Sequence, residues 1–174
     1  MRTPLLVLLM ALALPLAACG GDTTPEAKPS KWVLKQGPAE TVSIQSALAV
    51  EPGERVAVLG RVQDINRDGF AQFVLYDTSV PYCGEGAQDC GCDTPWDYCC
   101  IDIDTQKRSR MPVELRDAQG KLLRGEHLGL RLLDLVALEG TMEHTESGSP
   151  LLVVTQGWER RERPTFDDSI KFPQ

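Results

Sequence analysis

The chain has 174 residues and a formal net charge of −7, from 18 lysine and arginine residues against 25 aspartate and glutamate residues. Because proteins hold nucleic acids largely by neutralising phosphates with lysine and arginine, this balance disfavours nucleic acids as partners. The length fits one domain with flanking segments, since domains usually have about 100–200 residues.

Residues 1–18 have the layout of a secretory signal peptide. A positive residue, Arg2, precedes an unbroken apolar run over residues 5–14, and the tetrapeptide LAAC follows at 16–19. The apolar run is too short to span a bilayer as a helix, which needs about 20 residues. The sequence therefore predicts export from the cytoplasm.

The tetrapeptide LAAC also resembles the bacterial lipobox, in which the signal is cut before the cysteine and the cysteine is then acylated. We expect acyl chains such as palmitate on Cys19, which would anchor the chain to a membrane of the bacterial cell envelope, facing the periplasm or the exterior. Each buried methylene group contributes about 0.8 kcal/mol to such an anchor. The alternative is an ordinary signal peptide cleaved nearby, with Cys19 left as a thiol.

Composition divides the rest of the chain into three parts. Residues 19–41 are predicted to be the lipidated cysteine and a flexible spacer, because they contain prolines and small polar residues and offer little apolar surface to bury. Residues 42–160 are predicted to form the folded domain, and residues 161–174 a C-terminal tail.

The domain is predicted to begin with a short helix and a strand. Between residues 41 and 50 apolar side chains recur at helical spacing, and a Pro-Gly pair at 52–53 ends the pattern. Residues 55–65, RVAVLGRVQDI, are rich in β-branched side chains and predict a strand, in which Gly60 indicates a bend or bulge.

A hairpin is predicted next. Residues 70–77, FAQFVLYD, place positions 71, 73 and 75 on one face of a strand, and the turn residues NRDG at 66–69 connect it to the first strand. Residues 64–69 also match the first half of a calcium-binding loop. The twelfth position of that loop is Leu75 instead of the required glutamate, so the hairpin turn is favoured.

Three more strands are predicted after the cysteine-rich segment. They span residues 111–116, 135–143 and 151–156. Turn residues lie at 117–120 and 146–150, and residues 128–133 predict a helical turn or two. Five short strands with turns between them favour an all-β fold, a small barrel or sandwich, over a layered α/β fold.

The order of these elements resembles the OB-fold, a five-stranded barrel, with VLGRV on the first strand, VALEGTM on the fourth and LLVV on the fifth. The string CDTPWDYCC at 92–100 is similar to the C-x-TPWDYCC motif of a group of uncharacterised bacterial OB-fold-like proteins, many of them exported or lipidated. The resemblance covers about residues 42–158 and implies an all-β, OB-like five-stranded barrel with short helices, which the lipoprotein signal and flexible spacer precede. It implies no known activity.

OB-folds commonly bind nucleic acids or sugars on the face of strands two and three and its adjoining loops. The candidate binding surface here consists of Tyr76, Tyr82, Trp96 and Tyr98. Their neighbours are acidic, which fits a protein or glycan partner in the envelope better than a nucleic acid, because single strands need basic grooves. The alternative is that Trp96 and Tyr98 simply pack the loop onto the barrel.

The loop at residues 82–101 contains five cysteines: Cys83, Cys90, Cys92, Cys99 and Cys100. In an oxidising compartment, a loop with so little apolar surface is most often held by disulfide bonds. We expect two bonds, with the fifth cysteine left as a thiol or paired between molecules, and the sequence leaves the connectivity open. Cys99 and Cys100 should have different partners, because neighbours in an extended segment point to opposite faces.

A metal or redox centre at the same five cysteines is the alternative. Their spacing, C-x6-C-x-C-x6-CC, lacks the paired cysteines of typical zinc sites, and His127 and His144 lie far along the chain. Zinc or copper would be the cofactor in this case, since copper(I) accepts thiolates in irregular geometries. A bond between Cys90 and Cys92 would be strained and easily reduced.

Motifs of catalytic centres and of phosphate-binding loops are not recognisable in the sequence. The expected function is therefore that of a membrane-anchored, non-catalytic lipoprotein whose OB-like domain contacts a protein or another component of the cell envelope. No cofactor is expected unless the cysteines bind metal.

Overall fold

The computed structural model describes residues 31–66, 68–85, 94–124 and 129–165. The elements are α1 (Ile44–Ala47), β1 (Arg55–Ile65), β2 (Gln72–Tyr76), α2 (Ile103–Arg108), β3 (Arg110–Leu115), β4 (Leu135–His144), β5 (Pro150–Val154) and β6 (Trp158–Glu162). A search of these described residues finds no helix of the length and apolarity that a membrane span requires.

Five of the strands close into a barrel. Strand β1 pairs antiparallel with β2 on one edge and with β4 on the other, β2 pairs antiparallel with β3, and β4 pairs antiparallel with β5. The circle is completed by a parallel pairing between β3 and β5. Because the barrel closes, each of the five strands pairs with a neighbour on both sides over at least part of its length. The predicted small all-β, OB-like barrel is thereby confirmed.

The barrel interior is built by alternation along the strands. Along most of β1 and β2, buried residues alternate with more exposed ones, which places Val56, Val58, Phe73 and Leu75 in one core. The faces predicted for residues 71, 73 and 75 are confirmed, because all three belong to this core. Helix α1 is also where it was predicted and adds Ile44 to the core.

Gly60 has a different role from the predicted one. The register of β1 against β2 shifts between Val62 and Asp64, so the bulge lies beyond the glycine. A Cβ atom at Gly60 would lie 3.0 Å from both the Leu75 Cβ atom and the Tyr76 carbonyl oxygen. The glycine therefore permits a close approach of β1 to β2.

A sixth strand and the chain before residue 42 extend the barrel. Strand β6 pairs with β4, and its Trp158 is buried in the core. The backbone N–H of Trp158 donates to the Trp32 carbonyl at 2.9 Å, and the backbone N–H of Leu34 donates to the Trp158 carbonyl at 2.7 Å. Of the range predicted as spacer, residues 32–34 thus lie along β6, because Trp32 and Val33 cover apolar surface of the core.

The segment before β4 is a turn in its described part, residues 129–134, and the helical turns predicted at 128–133 are wrong for these residues. Leu133 has a φ of 65°. It donates a backbone hydrogen bond to Val62, and Val62 donates one to Asp134 at 2.9 Å. This exchange continues the ladder between β1 and β4, which a helix would interrupt.

Candidate functional site

The cysteine loop, residues 82–101, packs on the outer face of the barrel in its described parts, 82–85 and 94–101. Val74 and Tyr76 of β2 point away from the main core and join a second apolar cluster with loop residues. The rings of Tyr76 and Tyr98 are stacked, with centroids 4.0 Å apart and planes 16° apart. The loop therefore has a small core of its own, which Leu133 closes from the turn before β4.

Two members of the predicted binding surface are buried in this cluster. Tyr76 is 3% exposed and Tyr98 is 1% exposed, so neither ring can meet a partner directly. For Tyr98 the alternative of loop packing is correct. Tyr82 and Trp96 are half-buried at the edge of the cluster and keep part of their surface in solvent.

The two described arms of the loop are joined by backbone hydrogen bonds. The Cys83 N–H donates to the Asp97 carbonyl at 2.7 Å, and the Gly84 N–H donates to the Pro95 carbonyl at 2.6 Å. A Cβ atom at Gly84 would lie 2.9 Å from the Pro95 oxygen, so glycine permits this approach. The pairing fixes Cys83 beside the segment that leads to Cys99.

Helix α2 holds the turn that carries Cys99 and Cys100. The Gln106 side-chain amide donates to the carbonyls of Tyr98 and Ile101, at 3.1 and 2.8 Å. Asp102 caps the helix by accepting from the Thr105 N–H at 2.9 Å, and hydrogen bonding to Thr105 lowers the pKa of Asp102. Sequence reasoning missed both the helix and Gln106, because α2 buries no residue and so lacks an apolar period. The aspartate at its start is the usable signal.

Three cysteine sulfurs converge where these segments meet. The Sγ atom of Cys83 lies 3.2 Å from that of Cys99 and 3.6 Å from that of Cys100, and the last two are 3.9 Å apart. None of these pairs is at the S–S bond length of a disulfide, which is about 2.05 Å. Cys90 and Cys92 lie outside the described residues.

The expectation that Cys99 and Cys100 point to opposite faces is wrong. It assumed an extended segment, whereas residues 98–101 form a turn closed by a hydrogen bond from the Ile101 N–H to the Tyr98 carbonyl at 3.0 Å. The turn brings both sulfurs to the side of Cys83. Cys83 is buried, and Cys99 and Cys100 are exposed.

Arg61 is the charged residue beneath the loop. Its Nη2 atom donates to Glu85 at 3.1 Å, and its guanidinium lies 5.5 Å from the centre of the Tyr82 ring. The Arg61 Nε and Nη1 atoms and the Tyr98 hydroxyl are buried and have no hydrogen-bond partner among the described residues. Burial raises the pKa of Tyr98, so the phenol stays neutral. Unpaired buried donors cost free energy, so this is a weak point in the contact between loop and barrel.

Asp77 connects the start of the loop region to α1. It is 2% exposed, and its carboxylate accepts from the Ser79 N–H at 2.9 Å, the Ser79 hydroxyl at 2.7 Å and the Gln45 N–H at 3.1 Å. Burial alone would raise the pKa of Asp77, but the hydrogen bonds from Ser79 and from α1 together lower it below its ordinary value. The charged form is therefore the stable one in the folded protein.

Replacing Asp77 with asparagine should lower the free energy of unfolding by about 2 kcal/mol at pH 7, because charge-assisted hydrogen bonds are lost. The pKa of Asp77 is lower in the folded than in the unfolded chain. The stabilisation by the ionised Asp77 is thus complete above the pKa of an unfolded aspartate, near 4. It disappears as the pH falls through the lower pKa of the folded state. Urea unfolding at several pH values measures the difference between the two proteins. The exposed substitution Glu51→Gln is the control and should show no such difference; a constant Asp77→Asn difference down to pH 2 would contradict the assignment.

The other sequence candidates that lie in the described ranges take no part in this site. Residues 64–66 and 68–69 lie at the β1–β2 hairpin as favoured, with the Asn66 side-chain oxygen accepting from the Asp68 N–H at 2.6 Å. His144 ends β4, and His127 lies outside the described residues. Within the described ranges, Cys83, Cys99 and Cys100 form a group whose ligand atoms all lie within 4.8 Å of one another.

The comparisons with known proteins add no assignment to this geometry. No family model matches the chain, and no curated protein matches it.

Proposed function

We propose that this protein is a lipid-anchored, extracytoplasmic lipoprotein whose OB-like barrel is a non-catalytic binding domain for a protein of the bacterial cell envelope. The observation that carries the proposal is the cysteine loop, which builds a second core on the outer face of β2. In OB-folds the face of strands two and three is where ligands commonly bind. A loop ordered by its own core at this position is suited to present a binding surface.

The chemistry of the loop surface supports a protein partner. Tyr82 and Trp96 are half-buried, so their rings are held in place while one side stays in contact with solvent. Aromatic rings of this kind are enriched at protein interfaces. Exposed carboxylates of Asp102 and Asp104 lie just after the loop, which favours a basic segment of the partner and disfavours nucleic acid.

The LAAC tetrapeptide supports the anchor, and the C-x-TPWDYCC string supports membership in the group of exported OB-fold-like proteins that it resembles. A disulfide bond to Cys90 or Cys92 belongs to the oxidised form of the loop, which such a bridge would stabilise by restricting the unfolded chain. The competing function, a metal or redox protein, is favoured by a different observation, the convergence of three sulfur atoms.

A photo-crosslinking amino acid placed at Trp96 or Tyr82 in growing cells should give a discrete adduct with a protein of the envelope. The matched control is the same amino acid at Gln119, which lies in an exposed turn of the barrel. Adducts are separated by gel electrophoresis and identified by mass spectrometry. Equal labelling from all three positions, or none from the two loop positions, would contradict the assigned surface.

A further inference from the structure

We infer that Cys83, Cys99 and Cys100 form a binding site for one soft, thiophilic metal cation of the class of Zn(II) and Cu(I). The three sulfurs come from two segments that are 16 residues apart in the chain, yet they lie within 3.2–3.9 Å of one another. Even carbon atoms, which are smaller than sulfur, pack at about 3.5–4.0 Å. The three sulfurs, at 3.2–3.9 Å from one another, are therefore grouped as closely as the ligands of one metal ion.

The size of the sulfur triangle fits such an ion. A point equidistant from the three sulfurs lies about 2.1 Å from each, and zinc–thiolate bonds are about 2.3 Å long. An ion at bonding distance would therefore sit roughly 1 Å out of the sulfur plane, as in a tetrahedral site with three of its four ligands placed. Movements of a few tenths of an ångström would make the triangle regular.

The backbone around these ligands is fixed by groups other than the sulfurs. Cys83 is held by its hydrogen bond to the Asp97 carbonyl, and the turn with Cys99 and Cys100 is held by Gln106 and by stacking of Tyr98 on Tyr76. Little ordering of the chain is then required when the ion binds, which favours affinity.

The surroundings also favour a cation that can enter from solvent. Cys83 is buried at the base of the triangle, whereas Cys99 and Cys100 are exposed. The exposed carboxylates of Asp102 and Asp104 follow directly in the chain and add negative charge nearby. Metal binding requires thiolates, so a disulfide bond from any of the three to Cys90 or Cys92 would compete with the ion.

The full-length protein is purified in detergent and reduced with a phosphine in the absence of oxygen. It is then titrated with Zn(II) and with Cu(I) in competition with chelators. We expect one equivalent to bind, and Co(II), used as an optical probe, to give a thiolate charge-transfer band. Each of the variants Cys83→Ser, Cys99→Ser and Cys100→Ser should weaken binding about 100-fold or more, because a primary ligand is removed. The control Asp104→Asn removes a nearby exposed charge and should change affinity less than threefold.

A second readout avoids any dependence on folding of the variants. In the native chain, the bound ion should protect Cys83, Cys99 and Cys100 from alkylation, as measured by mass spectrometry of peptides. The inference is overturned if the reduced protein binds neither ion, if the serine variants bind as tightly as the native chain, or if alkylation of the three is unaffected by metal. None of these outcomes bears on the membrane anchor or on crosslinking at Trp96.

Discussion

Replacing Cys19 with serine is expected to move the protein from the membrane fraction to the soluble fraction. The LAAC tetrapeptide makes Cys19 the predicted point of acylation. Several acyl chains hold a protein stably, since each buried methylene contributes about 0.8 kcal/mol, whereas the residues from 20 to 30 are polar or small.

The comparison needs a signal that is removed in both proteins, because an uncleaved apolar run could itself retain the chain. Residues 1–18 of the serine variant are therefore exchanged for an ordinary cleavable signal. Cys92→Ser in the native chain is the control and should stay in the membrane fraction. A serine variant that remains membrane-bound, together with a native N-terminal peptide that lacks an acyl mass, would show that the anchor is wrongly assigned.

The contacts of the N-terminal segment limit how far such an anchor would let the domain travel. Backbone pairing to β6 begins at Trp32, so eleven residues separate Cys19 from Lys31. A chain of that length reaches at most about 40 Å. A partner of the cysteine loop would thus be found close to the membrane that carries the lipid.

Strands that alternate between buried and exposed residues could be predicted from the sequence. The predicted bounds of the first strand, 55–65, are those of β1, because its β-branched residues and period of two are read directly from the chain. Strand β6 was missed for the opposite reason. Its sequence WERRE holds one apolar residue, and it is a strand because it pairs with β4 and because Trp158 fills the core.

The candidate site was predictable in its members and not in its geometry. The cysteines and the aromatic residues were identified as a group, but the turn at 98–101 depends on Gln106 and on the stacking of Tyr98 on Tyr76, which are tertiary contacts. The prediction placed the sulfurs of Cys99 and Cys100 on opposite faces because it assumed an extended chain, whereas the structure brings them to the same side. Asp134 is a further example. It is buried and pairs with Arg160 and Arg163, which no spacing in the sequence indicates.

Gly140→Ala is expected to destabilise the barrel strongly, lowering the free energy of unfolding by about 3 kcal/mol. Up to Leu138 one edge of β4 pairs with β6, and from Thr141 the same edge pairs with β5. Gly140 lies at this change of partner. A Cβ atom there would be 2.5 Å from the Val153 carbonyl oxygen and 3.0 Å from two side-chain atoms of Leu152.

Neither neighbour can move cheaply, because Leu152 and Val153 pair with β4 on one side and with β3 on the other. If the added methyl group fitted, alanine would instead stabilise the fold by about 0.4–1 kcal/mol, because it lowers the conformational entropy of the unfolded chain. The sign of the change in stability therefore tells whether the methyl group clashes. Gly120→Ala is the matched control: φ is +79° and no atom lies within 4 Å, so its cost of about 1–2 kcal/mol is purely conformational. Urea unfolding measures the stability of both variants, and the dependence of the free energy of unfolding on urea concentration is compared between them. A Gly140→Ala protein as stable as the native one would mean that β4 and β5 are further apart at this point than the barrel closure described above requires.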